Sequence, residues 1–140
     1  MTKTLKWLCA AVMIVALMVP GAAMAKTFKI GVSVIVAHPA LDADQKGFEQ
    51  ALKDAGVDAE YDYQNAQGDM ANAQAIARKF KGDNLDLIHC IATPTSQAIV
   101  KVITKTPVVY SSVTDPVDAG LVKTMDPAGG NVTGVSDAWP

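Results

Sequence analysis

Cysteine is almost missing from this chain, with two among 140 residues, and one of those, Cys9, lies in an apolar run near the amino terminus. Cys90 therefore has no internal partner, which excludes a disulfide framework, and its neighbours Leu87, Ile88 and Ile91 favour a buried, inert thiol. Aromatic residues are also scarce, at 6%. No basic stretch with interleaved aromatics occurs, so nucleic acid is not an expected partner. Nucleotide fingerprints are absent: there is no G-x-G-x-x-G after the first strand and no G-x-x-x-x-G-K-[ST]. G-x-S-x-G is missing too, and no Ser or Cys has a convincingly placed base. No catalytic residue and no cofactor is assigned. Metal binding finds no better support. His89 and Cys90 are neighbours in a strand and point to opposite faces. Asp42-Ala43-Asp44 with Gly47 has the start of a calcium loop, but Lys46 and Lys53 stand where oxygen ligands are required.

What is present begins with an export signal. Lys3 and Lys6 form a positive start, Leu8 to Val19 is continuously apolar, and Pro20-Gly21 breaks the run. Ala23-Met24-Ala25 then supplies a small-x-small site, so residues 1–25 read as a signal peptide cleaved after Ala25 and the protein as periplasmic. The run is shorter than the roughly 20 residues a membrane-spanning helix needs. No lipid-attachment cysteine follows the cleavage site, so no stable membrane anchor is expected once the signal is removed. The remainder, Lys26 to Pro140, is one small domain with 10 basic residues against 14 acidic, a net charge of −4.

Within it, strand-like and helical segments alternate. Phe28–Val36 is almost wholly apolar and β-branched, as in a central parallel strand covered on both faces. Leu41–Ala55 places Leu41, Phe48, Leu52 and Ala55 on one helical stripe, and Gly56 ends it. Ala59–Gln64 alternates as a half-exposed strand near an edge. Asp69 caps a second helix with Met70, Ala73, Ile76, Ala77 and Phe80 inward. Leu85–Ala92 is a buried strand, followed by a third helix carrying Ile99, Val102 and Ile103; Pro107–Tyr110 and Asn131–Val135 are two further strands. This alternation predicts an α/β fold, a doubly wound parallel sheet of order 2-1-3-4-5 flanked by helices. Ligands of such sheets bind beyond the carboxyl ends of the strands, at the switch point between the first and third.

That rule selects His38, Pro39 and Leu41 after the first strand, and Thr93, Thr95, Ser96 and Gln97 after the third. The second group opens a helix, so free backbone N–H groups and the helix dipole suit a carboxylate, with the hydroxyls of Thr95 and Ser96 as added donors. A simple helix cap is the competing reading. Asp115 follows the fourth strand and is placed to meet a ligand ammonium, against a plain Asp-Pro turn; Ser112 is a candidate donor at the same strand end. His38 reads equally well as a loop histidine bonded to backbone. Asn131-Val132-Thr133 is a weak glycosylation sequon.

The segments Ile30-Gly31-Val32, His38-Pro39-Ala40-Leu41-Asp42, Gly47-Phe48 and Asn65-Ala66-Gln67-Gly68-Asp69 stand in a telling order. Ala92-Thr93-Pro94, Thr114-Asp115-Pro116-Val117 and Asn131-Val132-Thr133-Gly134-Val135-Ser136-Asp137 continue it. Together they resemble the substrate-binding proteins of ABC importers, in the group that includes tryptophan- and tyrosine-binding members. The resemblance implies a periplasmic-binding-protein type I-like, two-lobed fold that closes on a small amino-acid-like solute, possibly aromatic, and hands it to ABC permease subunits. By motif, Thr93, Thr95 and Ser96 would hold the ligand carboxylate, Asp115 and Asp137 would meet its amino group, and His38 to Leu41 would line one wall. Members of the family continue into a second lobe where this chain stops, so residues 26–140 are expected to be the N-terminal lobe alone, as a fragment or a truncated gene. An exported sensor or regulatory domain of the same fold is the alternative.

Overall fold

A computed structural model describes residues 26–126 and 130–138. The expected export signal, residues 1–25, lies outside them. Five strands and three helices alternate along the described chain: β1 (Phe28–Val34), α1 (Pro39–Asp54), β2 (Ala59–Asn65), α2 (Met70–Gly82), β3 (Leu87–Ile91), α3 (Thr93–Val100), β4 (Val108–Val113) and β5 (Val132–Ser136). All pairings are parallel and the order is β2-β1-β3-β4-β5, as the sequence pattern predicts. The architecture is a periplasmic-binding-protein type I-like lobe.

Side-chain alternation divides the strands between two layers. Ile30, Val32, Val34 and Ile91 meet Leu41, Phe48 and Leu52 of α1 on one face. Ile88, Cys90, Val108 and Tyr110 meet Ala73, Ile76, Ala77 and Phe80 of α2 and Ile99 of α3 on the other. The expected stripe of α1 holds for Leu41, Phe48 and Leu52, while Ala55 is exposed at the helix end. Cys90 is fully buried, which pushes its thiol up to about 12.

Several segments depart from the sequence expectation: β1 stops at Val34 and β3 starts at Leu87, each two residues short at that end, and Met70, expected inward on α2, is exposed. The third helix ends at Val100, so Val102 and Ile103 lie in a closing turn in which both amides donate to the Ile99 carbonyl. β4 runs three residues further than expected, to Val113, because a register irregularity between Tyr110 and Val113 keeps it paired with β5. The sequon is structural: the Asn131 amide donates to the carbonyls of Ile103 (3.2 Å) and Thr106 (2.9 Å) and ties the start of β5 to the preceding turn. No described helix is long and apolar enough to cross a membrane.

Candidate functional site

β1 and β3 are neighbours whose outgoing connections diverge, through α1 on one face towards β2 and through α3 on the other towards β4. The crevice they open lies at the carboxyl edge, where a doubly wound sheet takes ligands. Hydrogen bonds lace that edge together. Ala66 donates to Val34 O (2.9 Å), Ala92 to Ser111 O (3.0 Å) and Asp137 to Val113 O (3.1 Å). The loops carrying His38, Thr93, Asp115 and Asp137 therefore leave the sheet on one side.

Each helix begins there, and two are capped by side chains. The amide of Ala40 donates to His38 Nδ1 (3.2 Å), with Pro39 preset for the first turn, so His38 is the N-cap of α1. Asp69 Oδ1 accepts from Ala71 N (2.6 Å) and Asn72 N (3.3 Å) at α2. α3 has Ala92 at this position and no side-chain cap. Its first accepted bond is from Ser96 N to Ala92 O (3.2 Å), and Pro94 has no N–H. The amides of Thr93 and Thr95 thus open α3 without an intrahelical acceptor, at its positive end. Ala92 adopts φ 79°, ψ 155°, a region almost reserved for glycine that costs a side chain about 1–3 kcal/mol.

The side chains predicted for the site divide into two sets. Thr93 is half-buried at the mouth of the helix, and His38, Pro39, Asp115 and Asp137 are exposed along the same edge. Thr95 and Ser96 correct the expectation that their hydroxyls face a ligand. Both residues are fully buried; Thr95 Oγ1 donates to Ile91 O (2.6 Å) and Ser96 Oγ to Ala92 O (2.8 Å). The first turn of α3 lies on the sheet, so these hydroxyls find backbone carbonyls before they can reach outward. Gln97 is likewise structural, donating through Nε2 to Ala119 O (3.0 Å). Leu41 packs down on the β1–β3 cluster. Ser112 donates to Asp44 Oδ2 of α1 at 2.5 Å. Asp115 serves its own turn: Oδ1 accepts from Val117 N (3.0 Å) and Asp118 N (2.9 Å), which leaves Oδ2 for another partner.

Three features escape the sequence reading. His89 is fully buried, stacked on Phe48 with ring centroids 4.1 Å apart, and its Nε2 meets Ser111 Oγ at 2.7 Å. Burial holds its pKa down at about 4 although Asp44 and Glu49 pull the other way. Asp44 and the backbone of Ala92 are the other two. Nothing in the residue types announces a left-handed alanine. A hollow of about 180 Å³ lies at the carboxyl ends of β1 and β2, between Val34, Asp42 and Asn65, and a wider one of about 480 Å³ lies beside the amino-terminal ends of the same strands, between Lys29, Asp62, Lys79 and Asp83. That groove is lined by ion-paired, solvent-exposed side chains, whereas the carboxyl edge has free amides and an uncapped helix, so chemistry outweighs concavity here.

Residues 29–140 match the family of ABC transporter substrate binding proteins. The chain belongs to that family. Among its relatives, the tyrosine-binding protein of Clostridioides difficile (strain R20291) is 47% identical over 116 residues, covering 80% of this chain and 34% of the relative. The crystal structure of a conserved domain protein from Vibrio cholerae superposes with a TM-score of 0.79 at 50% identity, over 82% of this chain and 40% of that one. An ABC domain in complex with L-Trp from Streptococcus pneumonia gives 0.77 at 36% identity, over 81% and 39%. The chain therefore spans well under half the length of the relatives it matches.

Proposed function

We propose that the chain is the amino-terminal lobe of an exported solute receptor that takes an amino acid of the aromatic class and delivers it to an ABC permease. The observation that carries this reading is the uncapped start of α3 at the switch point, where the amide of the half-buried Thr93 has no acceptor of its own. A carboxylate there accepts the Thr93 amide and meets the helix dipole. Thr93 Oγ1 is the hydroxyl best placed to join them. Asp115 Oδ2 and the Asp137 carboxylate supply the negative side of the same edge for an ammonium group, and His38 and Pro39 form its outer wall. Thr95, Ser96 and Gln97 support the loop from beneath.

The aromatic class rests on relatives named for tyrosine and solved with L-Trp. Family membership favours an importer component over an exported sensor of the same fold. The second wall is proposed to come from a further lobe, a reading supported by relatives more than twice as long as this chain. Export through residues 1–25 belongs to the same reading.

Calorimetry with L-tyrosine, L-tryptophan and tyramine tests it. The two amino acids are expected to bind one to one, and tyramine, which lacks the carboxylate, is expected not to bind. Asp115→Asn keeps an acceptor for the Val117 and Asp118 amides but removes the charge. Losing a charged partner at an edge open to solvent should weaken L-tyrosine by about 0.5–1 kcal/mol. Equal binding of tyramine and L-tyrosine would remove the α3 amides from the site.

A further inference from the structure

Successive residues of a regular strand point to opposite faces of the sheet. Ser111 and Ser112 break that rule. Ser111 Oγ meets His89 Nε2 at 2.7 Å, under the ring of Phe48 of α1, and Ser112 Oγ donates to Asp44 of the same helix at 2.5 Å. Two consecutive hydroxyls reach the α1 side because Ser112 adopts φ 53° within the register irregularity between Tyr110 and Val113. A left-handed serine is costly and a bulge interrupts the ladder, so the contact is built at the expense of local strain. The Ser111 carbonyl also accepts the amide of Ala92, the strained residue that opens α3. One dipeptide thereby touches α1, which carries the His38–Pro39 wall, and the loop before α3. It also leads, through Val113, into the Thr114–Asp115 turn.

We propose that the Ser111–Ser112 bulge is a positioning node that sets the three site-bearing segments against one another, with Asp44 as the positioning residue that holds it to α1. The proposal rests on the ligand reading above for its purpose and on the hydrogen bonds alone for its mechanics. Asp44 and Ser112 form a charge-assisted pair at the rim of the buried cluster, where such bonds are strong. His89 and Phe48 fill the space beneath them. Without the carboxylate, the bulge has no reason to keep its left-handed serine, and the Asp115 turn loses its fixed distance from α1.

Amide hydrogen exchange on the chain and its Asp44→Ala and Asp44→Asn variants, together with L-tyrosine titration, tests the node. Asp44→Ala is expected to speed exchange at residues 112–115 and in the early turns of α1 by at least about tenfold, as for a lost charged hydrogen bond. The amides of β1 and β3 should stay as they are. Asp44→Asn retains an acceptor but not the charge and should lie between the parent chain and Asp44→Ala in both exchange and L-tyrosine affinity, while Asp44→Ala weakens L-tyrosine about tenfold by the same bond energy. Unchanged exchange in Asp44→Ala overturns the node, and so does a uniform rise across the sheet, which marks a general loss of stability. Loss of L-tyrosine affinity in Asp44→Asn with unaltered exchange places Asp44 on the ligand instead. If the parent chain ignores L-tyrosine, the ligand reading fails while the exchange pattern still decides the mechanics.

Discussion

Tyr110 and Gly134 face each other across β4 and β5, and a Cβ on Gly134 would stand 2.1 Å from the Tyr110 carbonyl oxygen and 2.5 Å from its ring. The carbonyl oxygen is fixed in the strand and the ring belongs to the buried Tyr110, so little can yield. Gly134→Ala is expected to destabilise the fold by about 2–3 kcal/mol, the upper range for overpacking, as read from urea unfolding. His89 sets a second expectation at the scale of one side chain. Its pKa is about 4 in the fold against 6.5 when exposed, so the fold keeps it neutral while the unfolded chain takes up a proton. Above pH 6.5 neither state is charged and the residue contributes no pH dependence. As pH falls from 6.5 to 4 the unfolded state is favoured, and below 4 the loss levels off at on the order of 3 kcal/mol. Unfolding midpoints measured across this window, with the His89 ring followed by NMR, check both the slope and its assignment.

At the scale of elements, helix starts carry most of the local information. Asp69 accepts two amides of α2, and Asp69→Ala should cost about 1 kcal/mol in thermal unfolding. α3 offers the reverse case. Glycine tolerates the φ of 79° that strains Ala92, so Ala92→Gly is expected to stabilise the chain by about 1 kcal/mol. A failure to gain stability would show that the strain is relieved locally. These elements also mark how far the sequence could be read. Apolar runs in Phe28–Val34 and Leu87–Ile91, the Asp69 cap and the Gly56 stop all follow from residue type and spacing, and they suffice for the order of the sheet. The directions of the Thr95 and Ser96 hydroxyls do not. A buried first turn sends them to backbone carbonyls, and only the packing of α3 on β3 reveals that. The left-handed Ser112 and its bond to Asp44, 68 residues away, are equally silent in sequence, because tertiary contact rather than propensity stabilises them.

For the molecule as a whole, α1 covers one face and α2 with α3 the other, so the switch point between β1 and β3 falls where all the site-bearing loops emerge. An edge open to solvent holds charged groups in a high dielectric, which makes each contact weaker than in a closed cleft. Affinity of the isolated lobe for an amino acid should therefore be low, and its location is more telling than its strength. Titration of the isotope-labelled chain with L-tyrosine, followed by amide chemical shifts, examines that location directly. The largest shifts are expected at Thr93, with smaller ones at residues 114–118 and 137. Shifts centred on Lys79 and Asp83 at the opposite groove, or none at the start of α3 as the amino acid approaches its solubility limit, would contradict a carboxylate site at this edge.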